Sequence, residues 1–283
     1  MPTIATSVAS SRPSVLEEAA MLRLLTYLAP GIPLGLYESI ADFLAAALDV
    51  DVSVASETTR SGPGPGTPNP FADGEADVGF VCAPSYAWMA AQRVPSVVLA
   101  GVAPVHDDPR NDERPIYFSE LVVADDSPVS AFEQLEGRRF GFNDPSSLSG
   151  YHCVLDKLAH LGKTRAFFGE LRESGSHARS LAMLSDGDID VAAIDANALA
   201  FMGSVGLDLG IRILETLGPY PVQPVVFRAS LEPELRQAIA AALLEMHYAS
   251  DGEPLRRFGV LRFAPVDDAH YAEVHERMKL RAR

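Results

Sequence analysis

Cysteine is scarce in this sequence, and so are the residue patterns that hold a metal ion. Only two cysteines, Cys82 and Cys153, occur among 283 residues, too few for a disulfide framework and too far apart for a CxxC zinc motif. The seven histidines show neither HxxxH nor HExxH spacing. We therefore expect no metal site and no disulfide scaffold.

Basic residues are also few compared with acidic ones. Lysine and arginine number 23 against 38 aspartates and glutamates, which gives a formal net charge of −15. Such a charge repels DNA, RNA and anionic membranes over most of the surface, so we expect no nucleic-acid partner. An anionic ligand would have to be held by backbone dipoles and hydroxyl groups in a shielded cleft.

Long apolar runs are missing as well. No segment approaches the about 20 consecutive apolar residues of a transmembrane helix, so we expect no direct insertion into a membrane. Residues 1–20 lack the apolar core and the early basic cluster of a secretory signal. As written, the sequence shows no export signal, and it predicts a cytoplasmic chain with a disordered leader over residues 1–21.

What the sequence does contain is an alternation of strand and helix patterns. With 47% hydrophobic residues over 283 positions, it predicts a sizeable core divided into two lobes of ordinary domain size. Short apolar runs alternate with helical periodicities, which predicts an α/β protein with parallel sheets. Predicted strands cover 22–28, 50–55, 77–82, 96–102, 120–124, 139–143, 170–173, 190–194, 211–214 and 224–228. Predicted helices cover 37–48, 85–92, the segment after the turn at 144–146 through 161, 177–184, 233–248 and 267–280. The Gly- and Pro-rich stretch 61–70 predicts a loop.

Two polar turns, 143–150 and 174–177, follow predicted strands and open predicted helices. In a parallel sheet such turns lie at the carboxyl ends of the strands, where ligands bind. The unpaired N–H groups and partial positive charge of a helix N-terminus suit a tetrahedral oxyanion, and His177 adds a hydrogen-bond donor. The alternative is that a serine of the first turn merely caps its helix. The sequence leaves both interpretations open.

Motifs for catalysis and nucleotide binding are missing. Neither Ser147 nor Ser149 lies in a GxSxG turn, and the neighbouring side chains of His152 and Cys153 would point apart on a helix. The loop 61–70 lacks the GxxxxGK[ST] order, and no GxGxxG follows a strand. We therefore expect no nucleotide and no other cofactor.

Six segments of the chain, taken in order, resemble one family of proteins. They read Asp77-Val78-Gly79-Phe80 with Ala83-Pro84-Ser85-Tyr86, Tyr117-x-Ser119-x-Leu121-Val122-Val123, Leu135-x-Gly137-Arg138-Arg139-Phe140, Asn143-Asp144-Pro145-x-Ser147-x-Ser149-Gly150, Ser174-Gly175-Ser176-His177 and Asp190-Val191-Ala192-Ala193. Their order and spacing are similar to those of the PhnD-type phosphate-, phosphite- and phosphonate-binding proteins of ABC importers. The resemblance covers about residues 22–263.

The resemblance implies a type II periplasmic-binding-protein fold, with two parallel-sheet lobes joined by a two-strand hinge that closes on the ligand. We expect lobe one to comprise residues 22–103 plus 225–283, and lobe two to comprise residues 119–214. The crossover segments of the hinge would then be 104–118 and 215–224. The same resemblance implies a periplasmic location, in contrast to the missing export signal.

The resemblance also implies a set of ligand-binding residues. The oxyanion would lie on the side chains of Ser147, Ser149 and His177 and on the backbone N–H of Leu148. Tyr117 would reach it from the hinge, and Tyr86 belongs to the expected set. Leu148 replaces a hydroxyl residue of the family motif, so only its amide can serve there.

The sequence differs from the family a second time, at positions that would face the ligand's substituent. Asn197 and Gln223 align where related binders of aminoethylphosphonate carry acids that hold the ligand's ammonium. A cationic substituent is therefore disfavoured, although Asp195 could replace the missing acids.

Two functions are compatible with these features. The first is a non-enzymatic receptor that captures phosphonate, phosphite or phosphate for an ABC permease. The second is a cytoplasmic enzyme on the same fold, resembling enzymes of menaquinone or thiamine-precursor biosynthesis. Fold by itself does not separate them. The absence of a titratable partner for His177 favours the receptor, whereas the missing export signal favours the enzyme.

Overall fold

The computed structural model describes residues 21–29, 31–206 and 210–281. The predicted disorder of residues 1–20 lies outside these ranges. In chain order the strands are β1 (Leu22–Thr26), β2 (Val52–Ser56), β3 (Val78–Phe80), β4 (Val97–Leu99), β5 (Val102–His106), β6 (Ile116–Ala124), β7 (Arg139–Phe142), β8 (Glu170–Glu173), β9 (Val191–Asp195), β10 (Ile211–Pro221), β11 (Val225–Arg228) and β12 (Val260–Pro265). The α-helices are α1 (Leu34–Leu48), α2 (Ala83–Ala90), α3 (Cys153–His160), α4 (His177–Ser185), α5 (Ala196–Ser204), α6 (Pro233–Glu245), α7 (Glu253–Arg256) and α8 (Ala272–Arg281).

The first sheet has the strand order β2-β1-β3-β11-β4. Strands β1, β2 and β3 run parallel, and β11 lies antiparallel to both β3 and β4. The apolar face of α1, with Leu36, Ile40 and Leu44, packs in one cluster with Leu22, Leu24 and the buried side chains of β3 and β11. Burial of this continuous apolar surface is what stabilises the layer of helix on sheet.

The second sheet has the strand order β10-β6-β9-β7-β8. Strands β7, β8 and β9 run parallel, whereas β6 lies antiparallel to β9 and β10. One face of this sheet packs on an aromatic cluster that includes Phe140, Phe142 and Phe168. Leu181 and Leu184 of α4 belong to the cluster that buries Val122, Ala192 and Ile194.

The prediction of parallel sheets is correct for the direction of four strands in each sheet, whereas β11 in the first sheet and β6 in the second run in the opposite direction. Hydrophobic periodicity identifies a strand but carries no information about its direction. The missed antiparallel strands are those by which the chain passes between the sheets and returns. Strand β12, which pairs with β5, was not predicted, and β10 extends seven residues beyond its predicted end at Leu214.

Each sheet contains an arginine–aspartate ion pair of the same geometry. In the first sheet Arg23 donates to Asp77 from its backbone N–H (3.0 Å) and from Nε and Nη2 (both 2.9 Å). In the second sheet Arg139 makes the same three contacts to Asp190, at 2.8, 3.0 and 2.8 Å. In both cases the aspartate directly precedes the strand parallel to that of its arginine. Each pair therefore ties the start of one strand to its neighbour.

The chain passes between the sheets twice. It leaves β5 and enters β6 through residues 107–115, and it returns from β10 to β11 through residues 222–224. The two passages run side by side, because Tyr117 of β6 pairs with Tyr220 of β10. No helix among the described residues is long and apolar enough to span a bilayer.

Candidate functional site

A small cavity of about 40 Å³ lies where the carboxyl ends of strands from both sheets meet. The segments after β1, β2 and β3 line it from one side, and those after β7, β8 and β9 line it from the other. Its wall includes Tyr27, Gly31, Arg60, Ser61, Cys82, Asn143, Ser147, Ser149, Ser176, His177, Asp195 and Gln223. This is the position in an α/β sheet at which side chains and helix ends of separate strands converge. The cavity has room for about three water molecules, which is the scale of one small polar group.

Helix N-termini converge on the cavity from both sides. Helix α2 begins after Cys82, α4 begins after Ser176, and α5 begins after Asp195. The segment Leu148–His152 begins after Ser147 and is a π-helix that continues into α3. Each helix end presents N–H groups without intrahelical partners and a partial positive charge. These helix ends add positive potential to the cavity, whose wall also holds the Asp195 carboxylate.

The oxyanion and capping interpretations apply to different serines. Ser147 accepts a hydrogen bond from the Gly150 N–H (3.0 Å), and Ser176 accepts one from the Arg179 N–H (3.2 Å), so both are caps. Ser149 caps nothing, and its hydroxyl faces the ring of His177 at 3.4 Å from Nε2. The hydroxyl hydrogens of the capping serines can still be donated to a ligand, because a cap uses only the oxygen.

His177 is a neutral hydrogen-bonding group at pH 7. His177 is half-buried, and desolvation lowers the pKa of His177 to about 4, with the nearby Ala193 carbonyl acting in the opposite direction. Gly31, on the opposite side of the cavity, lies so close that an added Cβ would be 3.6 Å from the imidazole Cδ2. The ring is therefore held between the two sides of the cleft.

We expect His177 to remain unprotonated down to about pH 5 when no anion is bound, because the charged imidazolium is poorly solvated there. A bound anion should raise the pKa of His177, since an opposite charge favours the charged form. The affinity for the anion should therefore rise as pH falls through the pKa of His177 in the bound protein. An NMR titration, with the resonance assigned by its loss in His177→Asn, measures both values. Titration of the ligand-free protein near 6.5 would contradict the burial of the ring.

The backbone amide of Leu148 has a partner already. It donates to the Sγ of Cys82 at 3.1 Å, across the cleft. Burial raises the pKa of the Cys82 thiol to about 12, so the sulfur is an uncharged and weak acceptor. An oxyanion would be a stronger acceptor for the same N–H. Tyr117 is not among the cavity-lining residues; it is buried, and its hydroxyl lies beside the Ser149 side chain.

Asp195 is hydrogen-bonded to both Gln223 and Asn197. Asp195 caps α5 by accepting from the N–H groups of Asn197 (2.8 Å) and Ala198 (3.4 Å), and it accepts from Gln223 Nε2 at 2.5 Å. Burial raises the pKa of Asp195 to about 6, which these hydrogen bonds partly offset. Asp195 and Gln223 line the cavity, whereas Asn197 does not.

Tyr86 lies away from this cavity. Its hydroxyl donates to Asp268, and its ring meets that of Tyr271 edge-on with centroids 5.7 Å apart. The position of Tyr86 in the first turns of α2 turns its side chain toward α8 instead of the cleft. The resemblance in sequence could not show this, because the rotation of a helix about its axis is set by packing.

Sequence reasoning missed the residues that close the cavity. Ser61 donates to Asp144 (2.5 Å) and accepts from the side chain of Asn143 (3.2 Å), which joins the loop after β2 to the turn after β7. Arg60 lines the same cavity and lies close enough to Glu57 and Glu173 to interact electrostatically with both. The available signal was a lone arginine at the start of a Gly- and Pro-rich loop in an acidic chain.

Comparison with known proteins supports these observations. The sequence model of the family described as the periplasmic phosphonate substrate-binding protein of ABC transporters matches residues 35–271. The chain belongs to this family. Its members are substrate-binding proteins rather than enzymes, so the enzyme alternative has no support. The resemblance to the PhnD-type group is thereby confirmed.

Solved structures show the same fold. A binding protein of an ABC phosphonate transporter from Pseudomonas aeruginosa is 15% identical with a TM-score of 0.75, over 93% of this chain and 89% of that one. PhnD1 from Prochlorococcus marinus, solved with methylphosphonate, is 17% identical with a TM-score of 0.76, over 94% and 99%. The aliphatic sulphonate binding protein SsuA from Escherichia coli is 15% identical with a TM-score of 0.63, over 92% and 85%. The type II periplasmic-binding-protein fold is therefore confirmed, while these identities are too low to carry over a ligand.

Proposed function

We propose that this protein binds the tetrahedral oxyanion of a phosphonate, phosphite or phosphate in the cavity between the two sheets. The observation that carries the proposal is the convergence of several helix N-termini on one small cavity that also holds hydroxyl groups and Arg60. Helix ends supply directed N–H donors and partial positive charge, and Arg60 supplies a full charge. A water-excluding cleft strengthens each of these interactions.

In this proposal Ser149 and His177 donate to the ligand through their side chains, and Ser147 donates the hydrogen of its capping hydroxyl. The Leu148 amide exchanges the weak Cys82 sulfur for a ligand oxygen. Asp195 stays bound to Gln223 and to the start of α5, so it shapes the cavity wall. The neutral state of His177 is compatible with this role, because an imidazole N–H donates without a net charge.

The ligand would be enclosed by closure of two lobes, 22–103 plus 225–283 and 119–214, about the crossover segments 104–118 and 215–224. Contacts across the cleft support this division. They are the bonds of Ser61 to Asp144 and Asn143, the Leu148 amide to Cys82, and Arg277 of α8 to Asp156 of α3. All of them would break on opening, and a hinge of two paired strands concentrates the movement. The closed surface is the one we propose to dock on an ABC permease.

Calorimetry with methylphosphonate, phosphite, phosphate and sulfate tests the proposal directly. We expect binding of at least one phosphorus oxyanion without added metal. Ligand at a hundredfold excess over Kd should raise the free energy of unfolding by about 2.7 kcal/mol. No heat and no thermal shift with any of the four at millimolar concentration would overturn the proposal.

Ser149→Ala should weaken oxyanion binding by about 1.5–3 kcal/mol, the range for a hydrogen bond to a charged group, and leave the fold intact. Ser146→Ala is the matched control, because Ser146 belongs to the same turn but its hydroxyl bonds Asp144 instead of lining the cavity. Equal affinities of the two variants, with a lower melting temperature for Ser149→Ala, would show that Ser149 is structural.

Aminoethylphosphonate should bind no better than methylphosphonate. Its ammonium would need an available carboxylate. Asp195 and Asp144 already accept hydrogen bonds through both oxygens, and Glu173 interacts with Arg60. A buried cation without a partner loses hydration at a cost of several kcal/mol. Competition calorimetry compares the two ligands. A preference for the amino ligand that Asp195→Asn abolishes would show that Asp195 does replace the missing acids.

A further inference from the structure

A second and much larger compartment lies beside the oxyanion cavity. It is a groove of about 1010 Å³ between the loop after β2, helix α2, strand β4 and the end of α8. Its walls are mostly apolar and include Pro63, Pro65, Trp88, Val98, Leu99 and Met278. A cleft of this volume is on the scale that encloses an organic ligand, whereas the cavity beside it holds only one small polar group.

The two compartments are adjacent and share a side chain. Arg60 lines both, so its side chain stands where one passes into the other. The partition beside it is thin. Ser61 and Asn143 line the cavity, the adjacent Gly62 and Asp144 line the groove, and the hydrogen bond from Ser61 to Asp144 (2.5 Å) joins the two halves.

Helix α2 connects the compartments as well. Its N-terminus at Cys82 faces the cavity, and the following turns, from Pro84 to Ala91, line the groove. Gly62 lies against this helix, since an added Cβ would be 2.5 Å from the Oγ of Ser85. That hydroxyl is buried and has no hydrogen-bond partner among the described residues. The groove is thus mostly apolar, with Arg60, Asp144 and Glu173 near the cavity and Asp268 and Lys279 on the α8 side.

We propose that the cavity and the groove are one ligand site, which holds the oxyanion of an organophosphonate in the cavity and its apolar carbon substituent in the groove. This inference rests on the proposed oxyanion site and narrows its ligand class to phosphonates with a substituent larger than methyl. The head group would be bound by the helix ends and Arg60. The substituent would pass Arg60 and bury its carbon surface against Trp88 and the prolines of the loop, which is favourable because apolar area leaves water.

The inference predicts an affinity that grows with the carbon substituent. Each methylene buried in the groove should tighten binding by about fourfold. We therefore expect butylphosphonate to bind at least about tenfold more tightly than methylphosphonate, even if its chain is only partly buried. Phenylphosphonate should also bind more tightly than methylphosphonate, since a planar ring can pack on Trp88.

Calorimetry with these three ligands, on the full chain and on two groove variants, tests the inference. Trp88→Ala removes the largest apolar wall, and Ala91→Phe fills the groove from an exposed position at the end of α2. In both variants the ratio of butylphosphonate affinity to methylphosphonate affinity should fall at least fivefold. The affinity for methylphosphonate itself should be unchanged. Ala91→Phe alters no buried residue. If Trp88→Ala fails to fold, Ala91→Phe alone tests whether the groove holds the substituent.

The outcomes separate this inference from the proposed function. Methylphosphonate binding without any gain for butyl- or phenylphosphonate overturns the shared site and leaves the oxyanion site standing. A gain that survives in both groove variants also overturns it, because the chain then lies elsewhere. No binding of any phosphonate overturns both. A gain that both variants reduce establishes the groove as the site of the substituent.

Discussion

Gly150→Ala is expected to abolish measurable oxyanion binding, with an affinity loss of at least about a hundredfold. A Cβ at this position would lie 1.7 Å from Oδ1 and 2.8 Å from Cγ of Asn143. Asn143 cannot move aside freely, because it is buried and its amide donates to Ser61 and Asp144. The first turn of the π-helix must therefore shift, and it carries Ser149 and the Leu148 amide. We expect the free energy of unfolding to fall by about 3 kcal/mol as well.

Gly203→Ala is the matched control for this prediction. Gly203 lies in α5, and no atom would come within 4 Å of its added Cβ. This substitution should raise stability by up to about 1 kcal/mol, because alanine favours a helix, and leave binding unchanged. Calorimetry and urea unfolding measure both effects. Wild-type affinity in Gly150→Ala would show that the turn does not form the binding site.

Asp77→Ala is expected to lower the free energy of unfolding by about 1.5–3 kcal/mol, the range for hydrogen bonds to a charged group, because the remaining arginines are partly exposed and can be hydrated. Asp77 holds two arginines, since Arg23 donates to it three times and Arg228 donates from Nε at 3.0 Å. Asp190→Ala is the control, because its pair with Arg139 has the same geometry but is more open to water. The side-chain exposure is 24% for Asp190 and 4% for Asp77, so about 1 kcal/mol is expected there.

The pH dependence of stability gives a second readout for Asp77. Burial alone would raise the pKa of Asp77, but the hydrogen bonds from Arg23 and Arg228 outweigh it and leave this pKa below its ordinary value. Because the pKa of Asp77 is lower in the folded than in the unfolded state, its ionised carboxylate contributes to stability above the unfolded pKa of about 3.9. This contribution is lost as pH falls from there through the folded pKa. Asp77→Ala should remove this part of the acid destabilisation. Equal losses for the two aspartate variants at pH 7 would contradict the role of burial.

The candidate site was predictable where the chemistry is local. Ser147, Ser149 and His177 were identified because they follow strands and open helices, and those features depend on a few neighbouring residues. The structure places all three on the cavity, together with Asp195 and Gln223, which were predicted from the family resemblance. Their binding roles remain predictions until the calorimetric experiments are done.

The sequence could not predict the role of residues whose partners lie far away in the chain. Tyr86 faces α8, and Tyr117 lies outside the cavity wall, although both occur in motifs of the family. Arg60 and Ser61 lie in a stretch of Gly and Pro that predicts only a loop. The bond of Ser61 to Asp144 spans 83 residues, and no pattern within a short segment encodes such a contact.

The sequence by itself determined the alternation of strands and helices, the helix-opening polar turns and, through six ordered segments, the family. These follow from local periodicity, capping chemistry and motif order, which a linear chain carries within short windows. Tertiary structure alone decided the reversed direction of β6 and β11, the meeting of the strand ends from both sheets, and the partition between cavity and groove. Each of these depends on how buried surfaces far apart in the chain pack together, and packing is a property of the whole fold.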